Sequence, residues 1–192
     1  MAKKGLSREL IIDAATAMIE EQGLEKFSLR GLAESLGVRA ASLYNHIGGQ
    51  QELLEAVGLR AVELLTRLEA EAVANRQRDD ALYALADAYR GFAHSHTELY
   101  RIIMEVHSFD SQLLESAAKH ITEPILDVLA EYGVEGELLI HYQRMLRSLF
   151  HGFFAHEHSG SFSFSDVDRD LSYHMAVACV AAQLNHIGEA GQ

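Results

Sequence analysis

Apolar residues recur at three- and four-residue intervals along almost the whole chain, and Gly, Ser and Asp break the pattern into segments. Leu10, Ile11, Ala14, Ala15, Met18 and Ile19 share one face, with Glu9, Asp13 and Glu20 off it, which predicts a helix from Ser7 to about Gln22. Ser7 suits its N-cap, Glu9 its positive end and Gly23 its stop. A short helix is predicted after Phe27, capped by Ser28, with Leu29, Leu32, Ala33 and Leu36 inward and Gly37 as its end. A third starts near Arg39 or Ala40 and carries Leu43 and Ile47 inward. Gly48-Gly49 interrupts again, and a longer helix then runs from Gln50 to about Asn75. After the polar stretch NRQRDD (75–80), helices are expected near 80–95, 97–107, 110–132, 136–157 and 166–187. Pro124 should kink or split the 110–132 segment, because it lacks an N–H and crowds the preceding turn. No segment alternates with period two. The expected class is all-α, about nine helices in two domains: residues 1–49 as a three-helix helix-turn-helix and residues 50–192 as a helical body.

The turn Gly37-Val38-Arg39 is too short for anything but a sharply angled helix pair. Residues 28–47, SLRGLAESLGVRAASLYNHI, meet the demands of a helix-turn-helix: a bracing helix, a tight turn and a second helix with a free outer face. Leu32, Ala33, Leu36, Val38, Leu43 and Ile47 can close an internal seam. Arg39, Ala40, Ala41, Ser42, Tyr44, Asn45 and His46 are then left outward or at the helix start. Asn can bond an adenine edge in two places, Ala and Ser can touch thymine methyls, and hydroxyl or imidazole groups suit phosphate oxygens. The same spacing also fits an ordinary surface hairpin of helices.

Composition narrows the partners and the compartment. The chain carries a net charge of −12, but residues 1–58 hold six Lys/Arg against eight Asp/Glu, while the remainder holds ten against twenty. Most of the acid therefore lies outside the angled pair, whose own phosphate attraction is modest. A single cysteine, Cys179, excludes an intramolecular disulfide framework, and its apolar helical setting suggests an inert core thiol. Charges interrupt the N-terminal apolar run, and no stretch of about 18 apolar residues offers a membrane span, so a soluble cytoplasmic protein is expected.

The stretch Leu10–Leu54 resembles the DNA-binding domain of the TetR family. The resemblance is carried by Ser28-Leu29-Arg30, by Ala33-Glu34-Ser35-Leu36-Gly37-Val38, by Leu43-Tyr44-Asn45-His46-Ile47 and by Gln50-Gln51-Glu52-Leu53-Leu54. It implies a transcriptional regulator and not an enzyme, with repression released by a ligand as the family default, acting as a homodimer on a palindromic operator. It carries groove-reading roles to Arg30, Arg39, Ala40, Ala41, Ser42 and Asn45, and phosphate-holding roles to Ser28, Tyr44, His46 and Gln50. Three positions depart from the family pattern. Arg39 stands where a Ser usually caps the recognition helix, at a cost of roughly 1 kcal/mol. Gln50 replaces a Lys, and Ala41 replaces a Gly or Pro.

Helices 136–157 and 166–187 are apolar on two sides, so each must bury both. Tyr142, Met145, Leu146, Leu149 and Phe153 form one stripe of the first, with Phe150 and Phe154 a quarter-turn round. Tyr173, Val177, Val180 and Leu184 form one stripe of the second, opposite Met175, Ala178, Cys179 and Ala182. A two-fold four-helix bundle satisfies this, and so does a fully buried helix pair in a monomer. The family resemblance favours the dimer and assigns its interface to Phe154, Tyr173, Val177, Val180 and Leu184. Phe150-His151-Gly152 further resembles a subtype bearing Trp-His-Gly. The family also holds an effector pocket in its body, for which Phe92, His96, Tyr100, Met104, His107, Met145 and Phe150 are candidates. Such adaptable walls suit a small apolar effector. Eleven histidines raise a metal role, but His94/His96 and His156-Glu157-His158 diverge on a helix, and no His-Glu-x-x-His occurs. No metal and no cofactor are expected.

Overall fold

A computed structural model describes residues 5–105 and 111–190, with side chains through 187. It is helical throughout those residues, without strands. The α-helices are α1 (Arg8–Gln22), α2 (Leu29–Ser35), α3 (Ala40–Leu43), α4 (Gln50–Val73), α5 (Arg78–Ser95), α6 (Thr97–Met104), α7 (Gln112–Lys119), α8 (Glu123–Ala130), α9 (Gly136–His158) and α10 (Arg169–Ala190). The predicted 110–132 segment is indeed split: a 3-10 turn at His120–Thr122 ends α7, and Pro124 sits in the first turn of α8. Pro is tolerated there because that N–H has no intrahelical acceptor. Helix α6 ends at Met104, earlier than the expected 107, and the expected pocket residue His107 lies outside the described residues.

Contacts divide the chain into two units, Met1–Glu63 with His96–Ala118, and Leu64–Ser95 with Lys119–Gln192. In the first, Ile11, Ala15 and Ile19 of α1, Leu32 of α2, Leu43 of α3, Leu53 and Val57 of α4, and Ile102 of α6 are buried. Gly58 marks a close approach: a Cβ there would stand 2.9 Å from Leu114 and 3.2 Å from Ile102. Polar ties join α6 to the end of α1. The Leu24 N–H donates to Glu98 at 3.0 Å, His96 meets Glu20 at 2.5 Å, and Arg101 faces both Glu98 and Glu25.

In the second unit α5 packs against α8, α9 and α10. Leu82, Leu85, Tyr89, Phe92, Leu146, Phe150, Tyr173, Val177 and Leu184 are buried within the single chain. The residues expected at a dimer interface are buried within the single chain as well. Tyr173, Val177 and Leu184 are fully buried, and Phe154 and Val180 nearly so. The uncovered side of α10 is the opposite stripe, with Leu171 57% and Met175 61% exposed and Cys179 exposed as well. The expected core thiol is therefore a surface thiol. On α9 the inward set is Leu146, Phe150 and Phe154, and Met145 of the expected stripe is exposed. Which side belonged to the chain's own core was the ambiguous part.

Two polar networks fasten this unit. Asp79 accepts from the Tyr132 hydroxyl at 2.7 Å and from the Asn185 amide at 2.9 Å, while Arg78 donates to Asn185 at 2.7 Å. Arg90 forks onto Glu157 at 2.5 and 3.0 Å and reaches Asp170 at 2.8 Å, and His94 lies 2.9 Å from Glu157. Burial alone would raise the Glu157 carboxyl, but the hydrogen bonds from Arg90 and His94 outweigh it and hold the group below its ordinary range. A depressed folded-state pKa contributes stability that is complete above the unfolded value of 4.5 and is lost as the pH falls through the folded value. Glu157→Gln should therefore destabilise the protein by about 2 kcal/mol at pH 7. Urea unfolding at pH 7 and in acid checks this: the gap between wild type and variant should shrink in acid.

Candidate nucleic-acid interface

Ser7 opens α1 by accepting the Leu10 N–H at 3.2 Å, and Gly23 ends it with φ +88°. Phe27 is buried after a 3-10 turn at Leu24–Lys26, and Ser28 then caps α2 by accepting the Gly31 N–H at 3.1 Å. The turn out of α2 depends on Gly37, whose φ of +66° lies in the left-handed region that other residues occupy at a cost. The Val38 N–H reaches back to the Ala33 carbonyl at 3.0 Å, completing a C-terminal capping bond of the 6→1 kind.

Helix α3 is shorter than predicted, Ala40–Leu43, followed by turn residues rather than regular helix. The Ile47 N–H still bonds the Leu43 carbonyl at 3.1 Å, so the coil continues far enough to bury Ile47. Arg39 occupies the N-cap with no side-chain cap bond, as its chemistry dictates. The seam closes on Leu32, Ala33, Leu43 and Ile47, all buried, with Leu36 and Val38 half-buried at its edge.

Every candidate contact residue lies outside that seam. Ser28, Arg30, Arg39, Ala40, Ala41, Tyr44, Asn45 and Gln50 are exposed, and Ser42 and His46 half-buried. Tyr44, a large ring, is 58% exposed. Arg30 pairs with Glu34 at 2.9 Å across one exposed helical turn. Such a pair is worth about 1 kcal/mol or less, so it yields readily to a stronger anion.

One residue of this region was missed. Glu52 accepts the Gly48 N–H at 2.6 Å and meets Arg8 at 3.2 Å, and those two contacts hold its carboxyl below the ordinary range. It fixes the Gly48-Gly49 break to the first turn of α4. The signal was present as a Glu in the third position of a helix, where a carboxylate can reach back to free amides.

The described candidate pocket residues are divided between the two units. Phe92 and Phe150 are buried and Met145 is exposed in the second unit; His96, Tyr100 and Met104 belong to the first. A cavity of about 200 Å³ in the second unit is walled by Phe153, Phe162, Phe164 and Val167. Among the described residues no group of three or more His, Cys, Asp or Glu could hold a metal ion, and no helix is long and apolar enough to cross a membrane.

Comparison with known proteins bears on this geometry. Residues 11–57 match the family described as bacterial regulatory proteins, tetR family, and residues 82–180 match the tetracyclin repressor-like C-terminal domain. The HTH-type transcriptional regulator Rv0681 of Mycobacterium tuberculosis is 31% identical over 92% of this chain and 81% of its own length. The chain belongs to the TetR family of transcriptional regulators. Two solved structures share the fold of this TetR-family chain at low identity. Apo ActR of Streptomyces coelicolor has a TM-score of 0.72 at 20% identity, with all of both chains covered. BioQ, solved with its double-stranded DNA operator and known from Mycobacterium smegmatis, has a TM-score of 0.66 at 21% identity, covering 94% of this chain and 99% of that one. ActR has also been solved in complex with (S)-DNPA.

The bracing helix of this TetR-family head starts at Ser28, so its cap should matter to the fold before it matters to DNA. Ser28→Ala is expected to lower folding stability by about 1 kcal/mol, read by urea unfolding of the full chain without DNA.

Proposed function

We propose that the chain is a ligand-released repressor that binds a palindromic operator as a homodimer. The observation that carries this is that the ten candidate side chains at the start of α2, along α3 and at the start of α4 all lie outside a seam with no polar member, eight of them exposed and Ser42 and His46 half-buried. On this reading residues 1–49 are the reading head and residues 50–192 the effector-binding and dimerising body. Asn45, Ser42, Ala40, Ala41, Arg39 and Arg30 read base edges, while Ser28, Tyr44, His46 and Gln50 hold phosphates. Two recognition helices would enter successive major grooves with centres about 34–36 Å apart. BioQ, with its operator, is the precedent for the fold. Work on DNA would put the protein in the cytoplasm.

The dimer face is reassigned to the uncovered sides of α9 and α10, with Arg144, Met145, Leu171, Met175, Cys179 and Ala182. Apolar side chains this exposed on two long helices favour a partner. Phe150-His151-Gly152 is read as the Trp-His-Gly subtype's tripeptide, and a Cβ at Gly152 would meet nothing within 4 Å of it. Packing inside the chain does not demand glycine there, which supports a close approach by a second copy. A small effector held in the body would favour a head spacing that docks poorly, and α4, which supplies residues to both units, is the natural lever.

Selection of bound fragments from random duplex DNA should return a palindrome. Tyr44→Ala should weaken binding to that sequence at least tenfold at fixed salt while sedimentation still shows a dimer; undiminished gel-shift affinity would count against the head. Conversely, Met175→Asp should shift the sedimenting species toward monomer and reduce operator affinity steeply, and a dimer unmoved by it would place the interface elsewhere.

A further inference from the structure

We propose that Glu69 is the effector-reading group of the body, and that the effector is a small apolar amine whose ammonium N–H groups bond the Glu69 carboxylate. This rests on the ligand-responsive reading above and names the chemistry of its ligand.

Glu69 lies on the part of α4 that belongs to the second unit, one turn beyond Leu65, and both residues are 0% exposed. A glutamate thus occupies a core position of an otherwise apolar stripe. Among the described residues, neither of its carboxyl oxygens has a hydrogen-bond partner, and neither does the Thr66 hydroxyl one turn earlier. Buried polar groups are nearly always satisfied, because leaving one unpaired costs free energy that an alanine or leucine would not. A position that carries this cost without a structural return is a candidate for a role in binding.

The charge balance around Glu69 selects the ligand. Burial pushes its carboxyl up to about 8, and the guanidinium of Arg147 on α9 opposes that only in part, forming no ion pair with it. What the site lacks is hydrogen-bond donors for two oxygens together with a compact positive charge, and an alkyl- or arylammonium group supplies both. Access is close by. Ala72, one turn further along α4, lines an open cleft of about 630 Å³ whose wall includes Asp80, Asp87 and Arg76. Two carboxylates against one guanidinium make that cleft more hospitable to cations than to anions. On binding, the Glu69 carboxylic acid gives up its proton to solvent and the resulting carboxylate pairs with the ammonium. Affinity should therefore rise with pH by up to tenfold per unit until the acid is already ionised, near pH 8.

The chain contains no tryptophan, so an indole probe is read without interference. Binding of tryptamine, of indole-3-ethanol and of indole-3-propionate to the full-length protein can be followed by indole fluorescence anisotropy between pH 6 and 9. The expected result is at least tenfold tighter binding of tryptamine than of either analogue, with affinity climbing to about pH 8. Glu69→Gln, which resembles the protonated acid in shape and charge, should abolish both the preference and the pH dependence. Its helicity and operator affinity should stay unchanged. Should Glu69→Gln fold poorly, Glu69→Leu serves the same comparison. Equal affinity for the three probes, no binding of any at millimolar concentration, or an amine preference that survives both substitutions would overturn the proposal. Operator binding is measured without probe: its loss in the wild-type chain would sink the regulator reading, whereas intact operator binding without amine preference sinks this one alone.

Discussion

Burial of one small seam decides what the head presents to its surroundings. Leu32 and Ala33 on α2 meet Leu43 and Ile47 across a turn that only a left-handed glycine at position 37 accommodates without strain. Once those four side chains are inside, the helical period leaves Ala40, Ala41, Tyr44 and Asn45 no choice but to face out. The capping bonds at Ser28 and the return of the Val38 N–H to Ala33 fix both ends of α2, so the angle of the pair is set by backbone geometry as much as by apolar contact.

Much of this was legible in the sequence because each signal had one physical meaning. Ser28 three residues before a free amide, Gly37 after an apolar stripe and Gly48-Gly49 before a long periodic run admit few alternatives. Pro124 could only start a helix or break one, and it starts α8. The misses share a cause. Helices α9 and α10 are apolar on two sides, and periodicity alone cannot say which side meets the chain's own core. Tyr173, expected at a partner, is buried in the chain's own core, and Cys179, expected inside, is exposed. A polar clue existed: the Tyr173 hydroxyl donates to the Ala86 carbonyl at 2.7 Å, a bond that draws its stripe inward, but nothing in the sequence names that acceptor. The pocket was harder still, since lining depends on how distant segments meet.

The body is held by a different balance of forces. Its core is apolar around Leu85, Tyr89, Phe150 and Tyr173, yet the positions of α5, α9 and α10 are also fixed by directional contacts, such as the Arg90 fork onto Glu157 with its reach to Asp170. Arg90 also stands 4.7 Å over the Tyr173 ring. An Arg in this setting is not interchangeable with Lys, because the planar fork serves two carboxylates and an aromatic face together. Against these satisfied networks Glu69 is the exception, an acid with burial and no partner, and that contrast gives it its interest.

Charge then shapes what kind of DNA reader the proposed function describes. A chain of net −12 whose first 58 residues are themselves slightly acidic gains little from counterion release along a polyanion. Of the candidate contacts only Arg30 and Arg39 carry a fixed positive charge; Gln50 stands where the family usually has Lys, and Ser28, Ser42, Tyr44 and Asn45 are neutral. Weak electrostatics lower affinity for every sequence alike, whereas hydrogen bonds to base edges lower it only for wrong ones. On the proposed function, a head built this way would bind nonspecific duplex poorly and lean on geometry for its operator. Small changes in head spacing would then be enough to release it, since little sequence-independent attraction remains to hold a misaligned dimer on the DNA.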